Sequence, residues 1–155
     1  MKRAFTLIEL LIATAVIVSV VAFITPTYQL IISQLQLSEA ANQVADFLLL
    51  TQQKTVTEQV IYGVTFTAGA TTIPQYTYVD NGDGTSTKTQ KATFTLPTNI
   101  SISQINFSSQ NDVRFSTSAA PNVSGNVVIE DVVRGRQRRI TISPTGAINA
   151  NQAEF

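Results

Sequence analysis

Lys2-Arg3-Ala4-Phe5-Thr6-Leu7-Ile8-Glu9-Leu10-Leu11 opens the chain, and the apolar run that begins at Phe5 continues to Thr25-Pro26. Within it only Thr6, Glu9, Thr14 and Ser19 are polar before Thr25. At about 1.5 Å per residue, a helix over this run covers a hydrocarbon core of about 30 Å. A charged side chain at membrane depth costs about 2.5–3.5 kcal/mol on insertion scales, so Glu9 calls for a partner and a role. Lys2 and Arg3 precede the run and no basic residue follows until Lys54. The positive-inside rule then places Met1 in the cytoplasm and residues 27–155 outside it. A cleaved secretory signal fits poorly, because the run is too long and closes on Thr25-Pro26 rather than on a small-residue site.

Beyond Pro26 the helical pattern resumes, so this proline is expected to kink the helix and not to end it. Ile31, Leu35, Ser38, Ala41, Ala45 and Leu48 form one stripe, widened by Leu37, Ala40, Val44 and Phe47. Gln34, Glu39, Asn42, Asp46 and Gln53 lie off it. The spacing predicts an amphipathic helix over 27–58 whose stripe packs on a sheet, with Ala40, Ala41 and Ala45 allowing close approach. β-Prone runs follow at Val60–Phe66, Gln75–Val79, Thr85–Leu96, Ile100–Phe107, Val113–Ser116, Asn126–Val133 and Arg139–Ser143. Asp80-Asn81-Gly82-Asp83-Gly84 separates two of these runs. It reads as a hairpin turn and not as a calcium loop, since glycines stand at positions 3 and 5, where an EF-hand needs oxygen ligands. One long helix followed by antiparallel strands indicates the α+β class. The expected organisation is residues 1–4 as a leader, 5–26 as a membrane helix, 27–58 as its amphipathic continuation and 59–155 as a β-rich globular domain.

Composition narrows the chemistry. The chain has 155 residues, no net charge, no cysteine and no histidine. Thiol catalysis and cysteine metal sites are excluded, and the commonest general base and metal ligand is missing. No paired-acid constellation stands out. The reading is therefore that of a protein that is not an enzyme, with no cofactor and no metal site.

The decamer Lys2–Leu11 closely resembles the processing motif of type IV pilins and type II secretion pseudopilins, which combines a basic leader, a small residue, Phe, Thr-Leu, an aliphatic residue and Glu in register. The resemblance implies that a prepilin peptidase cuts between Ala4 and Phe5 and that the new Phe5 amine is N-methylated. Gly is the family's usual residue where this chain has Ala4. Glu9 maps onto the family's acid, which pairs with the terminal amine of a neighbouring subunit; carboxylate and ammonium would neutralise each other in a low-dielectric filament core. The closing stretch Arg139-Ile140-Thr141-Ile142-Ser143-Pro144-Thr145-Gly146 resembles the GspH and FimT group of minor pseudopilins and minor pilins. The implied function is a structural subunit of a type IV pilus or type II secretion filament. The implied location is the bacterial inner membrane with a single pass, then a filament. The implied partners are the peptidase, major and other minor subunits, and the assembly platform.

Arg134, Arg136, Arg138 and Arg139 form a basic cluster around Gly135, expected at a hairpin tip with its turn near Arg134–Gln137. Four guanidiniums there could contact nucleic-acid phosphates. Some FimT-like pilins are DNA receptors with a Gly-Arg-x-Arg motif, which Gly135-Arg136-Gln137-Arg138 matches literally. In that family, however, the motif follows the last strand, where this chain reads Gly146-Ala147-Ile148-Asn149. No aromatic residue is interleaved for stacking on bases, and Glu130 and Asp131 lie close by. A DNA-binding subunit acting in uptake is thus the alternative, and a solvated loop or subunit contact is the favoured reading.

Overall fold

The computed structural model describes residues 6–82, 85–108 and 111–152, with the side chains of 23–27, 30, 151 and 152 outside the described set. Helix α1 spans Leu7–Glu58. Eight strands follow among the described residues: β1 (Ile61–Thr65), β2 (Thr72–Asp80), β3 (Ser86–Thr95), β4 (Ile100–Phe107), β5 (Asp112–Phe115), β6 (Gly125–Asp131), β7 (Arg136–Ile142) and β8 (Ile148–Gln152). The chain divides into two compact units, Met1–Leu35 and Gln36–Phe155.

In the first unit every described side chain from Thr6 to Ala22 is exposed. The large apolar residues between Leu7 and Val21 all stand at least half in the open. Among the described residues no helix is long and apolar enough to cross a membrane.

The second unit holds the core. Leu37, Ala40, Ala41, Val44, Ala45 and Leu48 are buried, at the three- and four-residue spacing of one helical face. Ile31 and Leu35, expected on the same stripe, are 52% and 63% exposed. They belong to the first unit; within the second unit the buried stripe begins at Leu37. Two polar residues extend it instead, since Thr51 and Thr55 are both fully buried. Backbone and side-chain partners make this tolerable. Thr51 Oγ1 donates to Phe47 O at 2.7 Å and accepts from Gln75 Nε2 at 2.6 Å. Thr55 Oγ1 donates to Thr51 O at 3.0 Å and accepts from the Tyr62 amide at 3.2 Å.

The expected antiparallel β-domain is present as two four-stranded sheets, in the orders β3-β2-β1-β5 and β4-β6-β7-β8. The chain leaves the first sheet after β3, enters the second at β4, returns for β5 and then completes the second. This exchange interlocks the sheets. Val64, Ile73, Val113 and Phe115 of the first sheet share a core with Ile102, Val127, Ile129, Ile140 and Ile142 of the second and with the helix stripe. β2 and β3 pair as a hairpin, with Asp80 opposite Ser86 and the Asn81 amide donating to Thr85 O at 3.0 Å; Asp83 and Gly84 of the expected turn lie outside the described residues. At Ser143–Gly146 the Gly146 amide returns to Ser143 O at 2.9 Å. The chain then forms β8, which the polar stretch Ile-Asn-Ala-Asn-Gln offers no reason to expect; pairing with β7 creates it.

Truncating Leu48 to Ala is expected to destabilise a fragment beginning at Gln36 by about 2–5 kcal/mol. Thr51→Val, which leaves the buried Gln75 amide short of an acceptor, should cost about 1–3 kcal/mol. Urea unfolding followed by circular dichroism checks both; a Leu48 variant as stable as the parent would mean that this face does not anchor the core.

Candidate functional site

Glu9 sits in the first turn of α1. Its Oε2 accepts from the Thr6 amide at 3.0 Å and from Thr6 Oγ1 at 2.9 Å. The Glu9 amide in turn donates to Thr6 Oγ1 at 3.3 Å. This reciprocal pattern is a capping box, which satisfies two amides that a helix start leaves without partners and places a negative charge against the positive end of the helix dipole. The signal is present in sequence as Thr6-x-x-Glu9, but a reading centred on the membrane singles out the acid alone. Leu7, Ile8, Leu10, Leu11 and Ile12 around it are all exposed, so the carboxylate stands within an apolar surface. Ala4 and Phe5 lie outside the described residues.

The arginines are placed differently from expectation. The turn is Val132–Gly135, not Arg134–Gln137, and Arg136, Arg138 and Arg139 lie within β7. Strand alternation puts Arg136 and Arg138 on the face of β7 that carries the buried Ile140 and Ile142, with Arg139 on the other. All three are half-buried, whereas Arg134 in the turn is exposed. The strand extends back to Arg136 because β6 pairs with it along its whole length, from Gly125 opposite Ile142 to Asp131 opposite Arg136. Of the two nearby acids, Asp131 reaches Arg134 at 3.9 Å, and Glu130 accepts from Gln137 Nε2 at 2.9 Å.

A second polar cluster lies on the outer face of the first sheet and crosses all four of its strands. Lys88 Nζ on β3 donates to both oxygens of Asp112 on β5 at 3.1 Å and to Thr65 Oγ1 on β1 at 2.9 Å. It also lies 4.1 Å from the ring centre of Tyr76 on β2. Arg114 on β5 places its guanidinium carbon 4.2 Å from the ring centre of Tyr78 and reaches Asp112 at 3.7 Å. Gly63 of β1 makes this crossing feasible, since a Cβ there would stand 3.1 Å from Arg114 Cγ and 2.6 Å from Val113 O. Nothing short-range in the sequence marks this cluster, because its members come from four strands that only the fold brings side by side. An open cleft of about 210 Å³ borders Arg114, lined also by Ile61, Tyr78, Asp80, Thr85 and Ser86. That is smaller than the roughly 300–1,000 Å³ of sites for drug-sized ligands. The cluster reads as a cross-strand clamp.

Burial pushes the Asp112 carboxyl up, but the hydrogen bonds from Thr65 and Lys88 outweigh it and hold the group below its ordinary 3.8. Burial likewise favours neutral Lys88, yet Asp112 and Tyr78 raise it above 10.5.

Comparison with known proteins places this geometry. No protein-family profile and no curated protein matches the sequence. Among solved structures, the chain is similar to the minor pseudopilin EpsH from the Type 2 Secretion System of Vibrio cholerae, with a TM-score of 0.58 and 14% identity over 76% of this chain and 97% of that one. It is also similar to the type IV minor pilin FimU of Pseudomonas aeruginosa, with a TM-score of 0.56 and 11% identity over 76% of this chain and 89% of that one. The chain has a pilin-like fold. The resemblance carried by its opening motif and closing strand therefore holds for the architecture. These neighbours are a pseudopilin and a pilin, not enzymes.

The shifts of Asp112 and Lys88 carry opposite signs. A depressed carboxyl contributes stability that is present above its unfolded value and lost as pH falls through the folded one, so the Asp112 contribution disappears below about pH 3.8. The raised Lys88 contribution is present below pH 10.5 and lost as pH rises through its folded value. Asp112→Asn should flatten the acid limb of a thermal-stability profile; an unchanged acid limb would remove the clamp from the account of stability.

Proposed function

We infer that this chain is a structural subunit of a type IV filament, a minor pilin or minor pseudopilin of a pilus or a type II secretion system. The observation that carries the reading is α1. From Leu37 to Leu48 one face of this helix is the wall of a folded core. From Thr6 to Ala22 its described side chains are exposed and mostly apolar. An apolar helix surface open all round needs a cover, and a bilayer before assembly and neighbouring helices after it supply one in turn. The pilin-like fold supports the same reading.

In this reading a prepilin peptidase releases the leader between Ala4 and Phe5, and the Phe5 amine is methylated. The inner membrane holds the subunit as a single pass from Phe5 to about Thr25, a span that extends past the described side chains at both ends. The β-domain lies outside the cytoplasm. The assembly platform and the major and other minor subunits are the partners. Glu9 does two things: its Oε2 closes the capping box with Thr6, and its charge pairs with the amine of the adjacent subunit and so sets register. DNA uptake forms no part of this proposal, because Gly135-Arg136-Gln137-Arg138 runs from a turn into β7, with β8 still to follow.

Two variants separate the roles of Glu9. Glutamine keeps the capping box but removes the charge, whereas leucine removes both. Glu9→Gln and Glu9→Leu should each be cleaved normally yet fall at least about tenfold in sheared filaments, as expected for a buried ion pair that has lost one partner. Immunoblots of sheared fractions read this; normal incorporation of the glutamine variant would leave Glu9 a helix cap only.

A further inference from the structure

The β6–β7 turn presents a feature that subunit packing through α1 does not use. Its residues are Val132-Val133-Arg134-Gly135. Val132 and Val133 are 65% and 68% exposed, more than any other large apolar side chain described in Gln36–Phe155. β-Branched residues are poor turn formers, which Gly, Asn, Asp, Ser and Pro usually supply. Here the backbone is held against that preference. The Val132 amide donates to Asn99 O at 2.9 Å, and the Val133 amide to Asp131 Oδ1 at 3.0 Å. The Arg134 and Gly135 amides both donate to Asp131 O, at 3.2 and 2.8 Å. Gly135 takes the left-handed conformation, with φ +66°, that closes the turn. Asp131, the hub of these bonds, is only 5% exposed. The turn is thus built to hold two adjacent valines outward, a local conflict with propensity of the kind found at functional positions.

Immediately behind the valines stand the arginines. Arg134 is in the turn, Arg136 and Arg138 lie on one face of β7, and Arg139 on the other. Successive same-face positions are about 6.8 Å apart along a strand. Among the described residues, no carboxylate lies within ion-pair distance of Arg136, Arg138 or Arg139, and Arg136 Nη1 and Arg139 Nε are buried without a hydrogen-bond partner. An exposed apolar leading edge with an exposed arginine in the turn and half-buried arginines on both faces of β7 behind it matches the boundary of an anionic bilayer, where acyl chains meet phosphate headgroups. DNA fits less well, because the valines would lead onto phosphates and the chain carries no aromatic residue between Phe115 and Phe155 to stack on bases.

We propose that the Val132–Gly135 turn and the β7 arginines form a docking surface for an anionic phospholipid bilayer, which gives the β-domain a second membrane contact. This rests on the membrane location inferred above and not on filament assembly. The chain has no tryptophan, so Val133→Trp supplies a single indole reporter at an exposed position.

The full chain carrying it is reconstituted in vesicles of phosphatidylcholine alone or with phosphatidylglycerol, each with brominated acyl chains. Quenching of the indole by at least about twofold in the anionic vesicles only, reversed by molar salt and lost in Arg136→Gln/Arg138→Gln, is the expected result. The salt arm needs no further substitution, so a folding defect in the double variant cannot mimic it. Equal emission in both vesicles overturns the proposal. Quenching in neutral vesicles that grows with protein density overturns it in favour of a second copy, and duplex DNA that shifts the indole emission in neutral vesicles does so in favour of nucleic acid. Failure of the chain to float with either vesicle refutes the membrane location itself, and this proposal with it.

Discussion

Everything in the folded unit depends on one narrow helix face meeting two sheets at once. Ala40, Ala41 and Ala45 alternate with Leu37, Val44 and Leu48 on that face, and all six are buried. The alanines remove bulk where a sheet must come close, and the larger residues fill the space between the layers. Because β4 and β5 exchange places between the sheets, neither sheet can leave the helix without disturbing the other. The same face ends in Thr51 and Thr55, whose hydroxyls engage Gln75 of β2 and the amide of Tyr62 in β1. Buried polar groups with few partners tolerate little displacement, so these bonds fix the depth at which the helix lies.

The helix carries two kinds of surface. Its face within Gln36–Phe155 is satisfied inside the unit. The large apolar residues from Leu7 to Val21 are at least half exposed, an apolar surface of the size that marks an interaction site. Glu9 joins the two themes, because it satisfies the helix start locally while keeping a charge available in an apolar setting. Polar chemistry elsewhere is used for cohesion. The Lys88–Asp112–Arg114 clamp with Tyr76 and Tyr78 ties the four strands of the first sheet across their outer face. The β7 arginines, by contrast, have no carboxylate within ion-pair distance among the described residues.

Much of this architecture is legible in local pattern. The α+β class and the helix over 27–58 follow from apolar periodicity, and the break between β2 and β3 from Asp, Asn and Gly, because such signals act within a few residues. The misplacements share one cause. Spacing alone assigns Ile31 and Leu35 to the stripe, although both are exposed. Keeping charge out of a strand assigns the arginines to a turn, whereas pairing with β6 draws Arg136, Arg138 and Arg139 into β7, where they are half-buried. Strand β8 has little β-propensity and exists because β7 offers it an edge.

The sequence alone determined the long helix, its apolar opening, the acid at position 9 and the resemblance that opening carries, since each is a matter of residue type at close spacing. Only the tertiary structure decided that there are two interlocked sheets, that Thr51 and Thr55 are core residues, that Tyr76, Tyr78, Lys88, Asp112 and Arg114 meet, and that Val132 and Val133 face outward. Each of these depends on contacts between segments far apart in the chain. Such contacts form through burial and strand pairing, which are properties of the whole packed unit and leave no trace in any short stretch of it.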